Sequence, residues 1–377
     1  MYLKQMKLQH YRNYGHIELE ASPQVNIFIG PNAQGKTNLL ESIYVLALTK
    51  SHRTHKDKEL VQWNEERAII QGELERRYGA CRLDLMITNH GKKAKLNGLE
   101  QKKLSNYIGS LNVVMFAPED LEIVKGSPST RRRFLDMEIA QVYPGYVHQL
   151  GQFQKILAQR NQYLKQQFGK SNASSDAMLD IWNQQIAASG TKIMQKRQQF
   201  IYKLQKWADH IHSGITAGAE KLDIVYRPSF SVESFDDESM VFEQFMVKLT
   251  QMKEQEIRRG TTLVGPHRDD IEFFINDKEA HTYGSQGQQR TTALSVKLAE
   301  IELIHQEVGE YPILLLDDVL SELDRNRQTQ LIETFQSKVQ TFITTTGLES
   351  VNLQKLQEAK IFNVESGSIV SSGFANS

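Results

Sequence analysis

Eight residues, Gly30-Pro31-Asn32-Ala33-Gln34-Gly35-Lys36-Thr37, restrict this chain more than anything else in it. They follow a largely apolar run, Val25-Asn26-Ile27-Phe28-Ile29, which reads as a buried strand. They precede Leu39, Leu40, Ile43, Leu46 and Ala47, spaced for the buried face of a helix that begins at Thr37. The glycines permit a tight loop whose N–H groups converge on an anion. In a G-x-x-x-x-G-K-[ST] loop the eight residues wrap nucleotide phosphates, Lys36 reaches the β- and γ-phosphates, and the Thr37 hydroxyl ligates Mg²⁺. The positive end of the following helix faces the same charge. At ordinary residue frequencies the pattern arises by accident in about one such chain in a hundred. Here it has the strand before it and the helix after it that the chemistry requires. The alternative is a glycine-rich turn without a ligand.

A nucleotide site of this kind needs a second half, and the sequence offers one. Tyr311-Pro312-Ile313-Leu314-Leu315-Leu316 reads as a buried strand that ends in two acids, Asp317 and Asp318. Carboxylates at the end of an apolar strand imply a cation or a water waiting there. Asp317 suits the Mg²⁺ of a Walker-B strand, and Asp318 suits polarising the water that attacks the γ-phosphate. Taken alone, the two acids are equally open to reading as helix caps. Upstream, Ser285-Gln286-Gly287-Gln288-Gln289-Arg290 opens a helical run, Thr292–Glu300, with small hydrogen-bonding residues that suit an anion. One chain has no use for two γ-phosphate sites on one nucleotide. The loop, with Ser285, Gly287 and Gln288, is therefore assigned to the nucleotide of a second copy; the alternative is a capped helix start.

Between these halves the periodicity changes. Leu150, Phe153, Leu157 and Leu164 repeat at helical spacing, Gly169–Ala177 is a polar loop, and Ile186, Ile193, Phe200 and Trp207 recur every seven residues. The expectation is an α/β P-loop head built from both chain ends, 1–116 and 261–377, with a helical-hairpin insertion at 117–260. Two helices packed on an ordinary core is the alternative. The chain has 377 residues and 45 basic against 45 acidic side chains, so any nucleic-acid surface must be local. Candidates are His52–Lys58, Lys92–Lys95 with Lys102 and Lys103, the Lys192–Lys206 stretch, and Arg131, Arg132 and Arg133, the last three ranked first for DNA contact. Three adjacent arginines cannot share one helix face, so at least one is expected to pair with an acid. Arg12 is assigned to the neighbourhood of the nucleotide, against the alternative of a surface arginine. His267 and Arg268 either touch phosphate or staple the insertion to the head. A single cysteine, Cys81, excludes an internal disulfide and fits a reducing, cytoplasmic setting. No apolar run approaches the ~20 residues of a membrane helix.

Together these segments resemble the ABC-type ATPase heads of SMC-like DNA-maintenance proteins. Gly30–Thr37 resembles their phosphate loop, Ser285-Gln286-Gly287-Gln288-Gln289 their signature, Asp317 and Asp318 their Walker-B pair, and Ser321-Glu322-Leu323-Asp324 their D-loop. The resemblance narrows to the RecF family through Tyr11-Arg12-Asn13-Tyr14, Phe116–Leu121, Gly126-Ser127-Pro128 with Arg131–Asp136, and Gly265-Pro266-His267-Arg268-Asp269-Asp270. It runs over essentially the whole chain. It implies a slow, DNA-dependent ATPase that dimerises with ATP and Mg²⁺, binds double-stranded and gapped DNA, and works on the nucleoid with RecO and RecR to place RecA. Asp318 where many ABC proteins carry glutamate, and Thr344-Thr345-Thr346 where many carry a switch histidine, both imply slow hydrolysis. Two other classes remain to be weighed. One is a membrane-transporter ATPase subunit, which would need a membrane partner; the other is a small-molecule phosphotransferase, which would leave the Ser285 loop without a role.

Overall fold

The alternation in the first twenty residues becomes a hairpin. Strands β1 (Tyr2–Tyr11) and β2 (Tyr14–Glu20) pair antiparallel, with Met6 opposite Leu19 and Leu8 opposite Ile17, all four buried. The run Val25–Ile29 is β3, buried along nearly its whole length as parallel strands are. Helix α1 (Lys36–Leu48) follows it, then β4 (Arg67–Arg76), β5 (Gly79–Thr88), β6 (Gly91–Leu96), β7 (Leu99–Glu100) and β8 (Val113–Phe116). The first six-stranded sheet runs β2-β1-β4-β5-β6-β7, antiparallel at every pairing.

The computed structural model describes residues 1–167, 174–319, 338–347 and 359–374. It divides into two units, residues 1–120 with 297–377, and residues 121–296.

The second unit contains α2 (Leu121–Lys125), α3 (Pro128–Val142), α4 (Pro144–Gln167), α5 (Ser174–Ile215), β9 (Leu222–Arg227), α6 (Glu238–Arg259), β10 (Asp270–Ile275), β11 (Lys278–Glu279), α7 (Ala280–Tyr283) and the start of α8 (Gln286–Val308). The seven-residue repeat forms one helix of 42 residues, with Ile186, Ile193, Phe200 and Leu204 buried. The unit is more than the hairpin expected at 117–260. Helix α6 packs on both α4 and α5, and Arg160 joins all three from the inside. It donates to Glu256 at 2.6 Å and to Asn183 at 2.7 Å, and both charges are fully buried. Residues 261–296, expected in the head, group with this unit because β10 pairs antiparallel with β9 over six residues in a separate sheet, β11-β10-β9. The second boundary falls within α8, between Val296 and Lys297.

The head is completed by β12 (Ile313–Asp317), β13 (Thr341–Thr345), β14 (Lys360–Glu365) and β15 (Ser368–Phe374). The order is β15-β14-β3-β13-β12-β8, parallel except for β15. Register sets Thr344 beside Asp317 and Thr345 beside Ile29, so the loop after β3 and the acids after β12 emerge at the same carboxyl edge. Helix α1 lies against β12 and β13 of this sheet and β4 and β5 of the other. The spacing predicts one buried face for α1. The structure buries it nearly all round from Leu39 to Leu48, Glu41 and Ser42 included, because it is sandwiched between two sheets.

Candidate nucleotide site

The phosphate loop is held by backbone geometry that few side chains tolerate. A Cβ at Gly30 would lie 2.3 Å from the Val364 carbonyl oxygen. Gly35 has φ of 114°, and a Cβ there would lie 2.6 Å from the Asn13 amide. Gly35 is also the N-cap of α1 and gives it no side-chain hydrogen bond. The first N–H groups of α1 are thus left to whatever lies in front of the loop. Pro31, Asn32 and Ala33 form its exposed rim.

Two hairpin turns brace the loop from behind. Asn13, at the β1–β2 turn, donates to the Gln34 carbonyl at 3.1 Å, and Gly367, at the β14–β15 turn, donates to the same oxygen at 3.0 Å. The Ser366 N–H donates to the Gln34 side chain at 2.6 Å, and the Tyr14 hydroxyl donates to the Gly35 carbonyl at 3.0 Å. Nothing in the local sequence of 30–37 announces these partners. Ser366-Gly367 signals a turn, but not what the turn touches.

Lys36 is 7% exposed, and its ammonium donates to the Gly30 and Pro31 carbonyls at 2.6 and 2.8 Å. Burial lowers its pKa, while Asp318 and Asp317 oppose the shift, so both acids act on this ammonium. Asp317 Oδ1 accepts from Thr37 Oγ1 at 2.9 Å and from Thr344 Oγ1 at 2.8 Å. Burial raises the Asp317 pKa; the two hydroxyls pull the other way. The Asp318 N–H donates to Thr344 Oγ1 at 2.9 Å, and Asp318 stands exposed with φ of 54°. Thr344 therefore holds the Asp317 carboxylate and the Asp318 main chain at once, a role its sequence position does not announce. Among the described residues, no group of three or more His, Cys, Asp or Glu gathers into a metal cage. The pair Thr37 and Asp317 fits Mg²⁺ in the way that ion is usually held, by one or two protein oxygens together with phosphate and water.

The signature loop belongs to the second unit and is closed upon itself. Ser285 Oγ accepts from the Gln288 N–H at 3.2 Å, and Gln288 Oε1 accepts from the Ser285 N–H at 2.9 Å, a reciprocal capping box. Gln289 is buried and donates to the Ala280 carbonyl at 2.9 Å, which fixes α7 to the start of α8. Ser285, Gln286, Gly287 and Arg290 are exposed. The capped-helix alternative therefore describes the local geometry, with the outward face still open. Ser321–Asp324 lie outside the described residues.

Two of the assigned arginine sites have internal partners in the structure. Arg12 does not turn to the phosphate loop: Nη2 and Nε donate to the Glu41 carboxylate at 2.7 and 2.8 Å, and Nη1 to the Glu59 carbonyl at 2.8 Å. Tyr11 and Ser51 also donate to Glu41. Burial would raise the Glu41 pKa, but Arg12 and then the Ser51 hydroxyl hold the carboxyl below its usual range. Arg12 thus ties the β1–β2 turn to α1. Arg131, ranked first for DNA, is 8% exposed and makes a bidentate pair with Asp270 at 2.7 Å for both bonds. Arg132 donates to the Asp269 carbonyl at 2.8 Å, and Arg133 is half-buried. Arg131 and Arg132 face inward because an arginine inside a fold needs a matching acceptor, here the Asp270 carboxylate and the Asp269 carbonyl. His267 and Arg268 both contact the Thr262 carbonyl within their own unit. Lys92 is committed to Asp57 at 2.6 Å, whereas Lys93, Lys95, Lys102 and Lys103 are exposed.

Residues 2–369 match the RecF/RecN/SMC N terminal domain family. The chain is 55% identical over 98% of both chains to the DNA replication and repair protein RecF of Bacillus mycoides (strain KBAB4), and equally so to that of Bacillus thuringiensis (strain Al Hakam). A solved structure of the recombination mediator protein RecF with ATPrS, of the RecFOR pathway, is 34% identical with a TM-score of 0.90, covering 98% of this chain and 97% of that one. An Smc head domain from Pyrococcus furiosus is similar in fold alone, at 15% identity and a TM-score of 0.56 over 100% of this chain and 97% of that one.

Proposed function

The chain belongs to the RecF/RecN/SMC N terminal domain family, and within it to the RecF proteins, and on that premise we propose an ATP-controlled DNA clamp of replication and recombinational repair. It is an ABC-type ATPase. The observation that carries this reading is the uncapped start of α1 at Gly35, flanked by Lys36 and by the Thr37–Asp317 pair. Bound ATP with Mg²⁺ supplies the transferable phosphoryl group and a neutralising cation. The backbone of 30–37 and Lys36 bind the phosphates, Thr37 and Asp317 hold the cation, and Asp318 takes a proton from the attacking water. The Ser285 loop of a second copy closes over this nucleotide, which gives two equivalent sites across an isologous interface. A threonine at the switch position and an aspartate as base keep turnover slow.

Double-stranded and gapped DNA, RecO and RecR are the partners in this reading, with RecA loading as the outcome and the cytoplasmic nucleoid as its setting. The relatives give no support to a transporter subunit, and no described helix is long and apolar enough to cross a membrane. With Arg131 and Arg132 committed to internal partners, the exposed Lys93, Lys95, Lys102 and Lys103 are the better phosphate contacts.

The deciding measurement is ATP turnover with and without duplex or gapped DNA. Turnover should be slow alone and rise with DNA, and DNA binding should weaken steeply with salt because counterions are displaced. Turnover indifferent to every DNA tested, or salt-insensitive binding, would sink the clamp.

A further inference from the structure

The capping box that closes α8 is tethered on its outer side. Gln288 uses its amide oxygen inside the box, and its amide nitrogen donates to Glu220 Oε1 at 2.9 Å. The other carboxylate oxygen, Glu220 Oε2, lies 3.0 Å from His212 Nε2. His212 Nδ1 lies 3.1 Å from Ser295 Oγ, which is on α8 again, two turns beyond Gln288. His212 is fully buried in the last turn of α5, and Glu220 precedes β9. Thr216 closes the segment between them: its hydroxyl donates to the His212 carbonyl at 2.9 Å and accepts from the Glu220 N–H at 3.3 Å.

An amide can rotate to exchange its oxygen and nitrogen, and only its neighbours decide which end faces which way. A carboxylate accepts and never donates, so Glu220 turns the Gln288 nitrogen toward itself. The amide oxygen must then face the Ser285 N–H. Without Glu220 either orientation is open, and one of them sets nitrogen against nitrogen at Ser285. We propose that Glu220, held by His212, is a positioning residue for the signature loop: it fixes the Gln288 amide so that Ser285 and the exposed N–H groups of Gln286 and Gly287 keep one outward geometry. This rests on the reading that the Ser285 loop closes over the nucleotide of a second copy.

The chemistry predicts an unusual rank of substitutions. Glu220→Gln retains the bond to Gln288 through its amide oxygen, and its nitrogen donates to His212 once the imidazole proton moves to Nδ1. Glu220→Asp keeps the charge but withdraws both oxygens by one methylene. Glu220→Ala removes the tether.

The test measures ATP-driven dimerisation and turnover of the full-length variants beside monomer ATP binding. Glu220→Ala and Glu220→Asp should bind ATP within about twofold of the parent yet close about tenfold less well, the scale of one net hydrogen bond. Glu220→Gln should stay within about threefold. Mixing Glu220→Ala with Lys36→Met should exceed the turnover of either alone, because one site then combines a sound phosphate loop with a sound signature. A misfolded variant could not complement. The inference is overturned if Glu220→Ala closes like the parent, if it fails to complement, or if Asp rescues where Gln does not, since charge rather than amide orientation would then matter. Ser285→Arg is the control: if it also closes normally, the two-chain site falls and the tether with it. If Ser285→Arg alone is defective, only the tether falls.

Discussion

Two helices of this chain start at loops that invite the same reading, and the structure treats them in opposite ways. Helix α1 begins at Gly35 with no side-chain cap, so its N–H groups stay available, and a lysine stands beside them. Helix α8 begins at Ser285 with both members of a capping box in place and Glu220 behind it. Each follows from local chemistry. A glycine at φ of 114° can shape a loop but has no side chain to cap with. Serine followed three residues later by glutamine satisfies its own backbone. The lesson is that an anion-binding helix start must be left incomplete by its own chain. One that is already complete can act on a ligand only through what remains exposed, here the outer face of Ser285, Gln286 and Gly287. That division matches a nucleotide bound by one copy and covered by another.

The largest expected effect tests the acid at the mouth of the α1 site. Asp318→Asn should lower turnover by at least about a hundredfold, the contribution of a positioned general base. ATP binding and dimerisation should persist. Single-turnover kinetics with a dimer crosslink would show this, and unimpaired hydrolysis would move the catalytic role elsewhere.

The comparison itself is put at risk by a reciprocal pair. Lys36→Met should weaken monomer ATP binding on the order of a hundredfold, about 3 kcal/mol for a lost buried charge contact, and dimerisation should fall with it. Ser285→Arg should leave monomer binding within about twofold but block closure by bulk and charge. Titration with a fluorescent ATP analogue, alongside gel filtration, separates the two. If both variants lose nucleotide alike, the two helix starts do not differ in kind.

A smaller effect concerns the setting of α1. His52 packs edge-on against Tyr44 of that helix at 5.3 Å, and among the described residues neither ring nitrogen has a hydrogen-bond partner. Burial pushes its pKa down to about 4, outweighing the attraction of Glu41 and Glu119. The unfolded chain takes up this proton near pH 6.5 and the folded one does not, so stability is lost as pH falls from about 6.5 toward 4. The loss is about 3 kcal/mol. His52→Phe should flatten that part of the melting-temperature profile, and an unchanged slope would assign the acid sensitivity elsewhere.

Much of the head was legible in advance because its signals are local. The strand, loop and helix at 25–48 announce themselves by apolar runs, by glycine and by spacing, all within a span of covalent neighbours. The acids after β12 are legible for the same reason. A capped helix start at Ser285 is legible as an alternative for the same reason, and the structure shows its form, a box between Ser285 and Gln288. The arginines show where this stops. Arg12, Arg131 and Arg132 read from composition as candidate ligand contacts, but each has its partner at a distance along the chain. Arg131 meets Asp270 across 139 residues, and Arg12 meets Glu41 across 29.

The sequence by itself determined that this chain carries a phosphate loop, a paired-acid strand and a signature-like helix start, since each is written in a few adjacent side chains. Only the tertiary structure decided which of them meet. Thr37 reaches Asp317 across 280 residues, and Thr344 holds the Asp317 carboxylate and the Asp318 main chain, because β13 inserts between the strands that bear the loop and the acids. The hairpin turns at Asn13 and Gly367 likewise brace Gln34 from opposite ends of the chain. A residue type sets what a group can donate, accept or charge. Its partner depends on packing that buries it beside one complementary group out of many, and that choice is made by the whole fold.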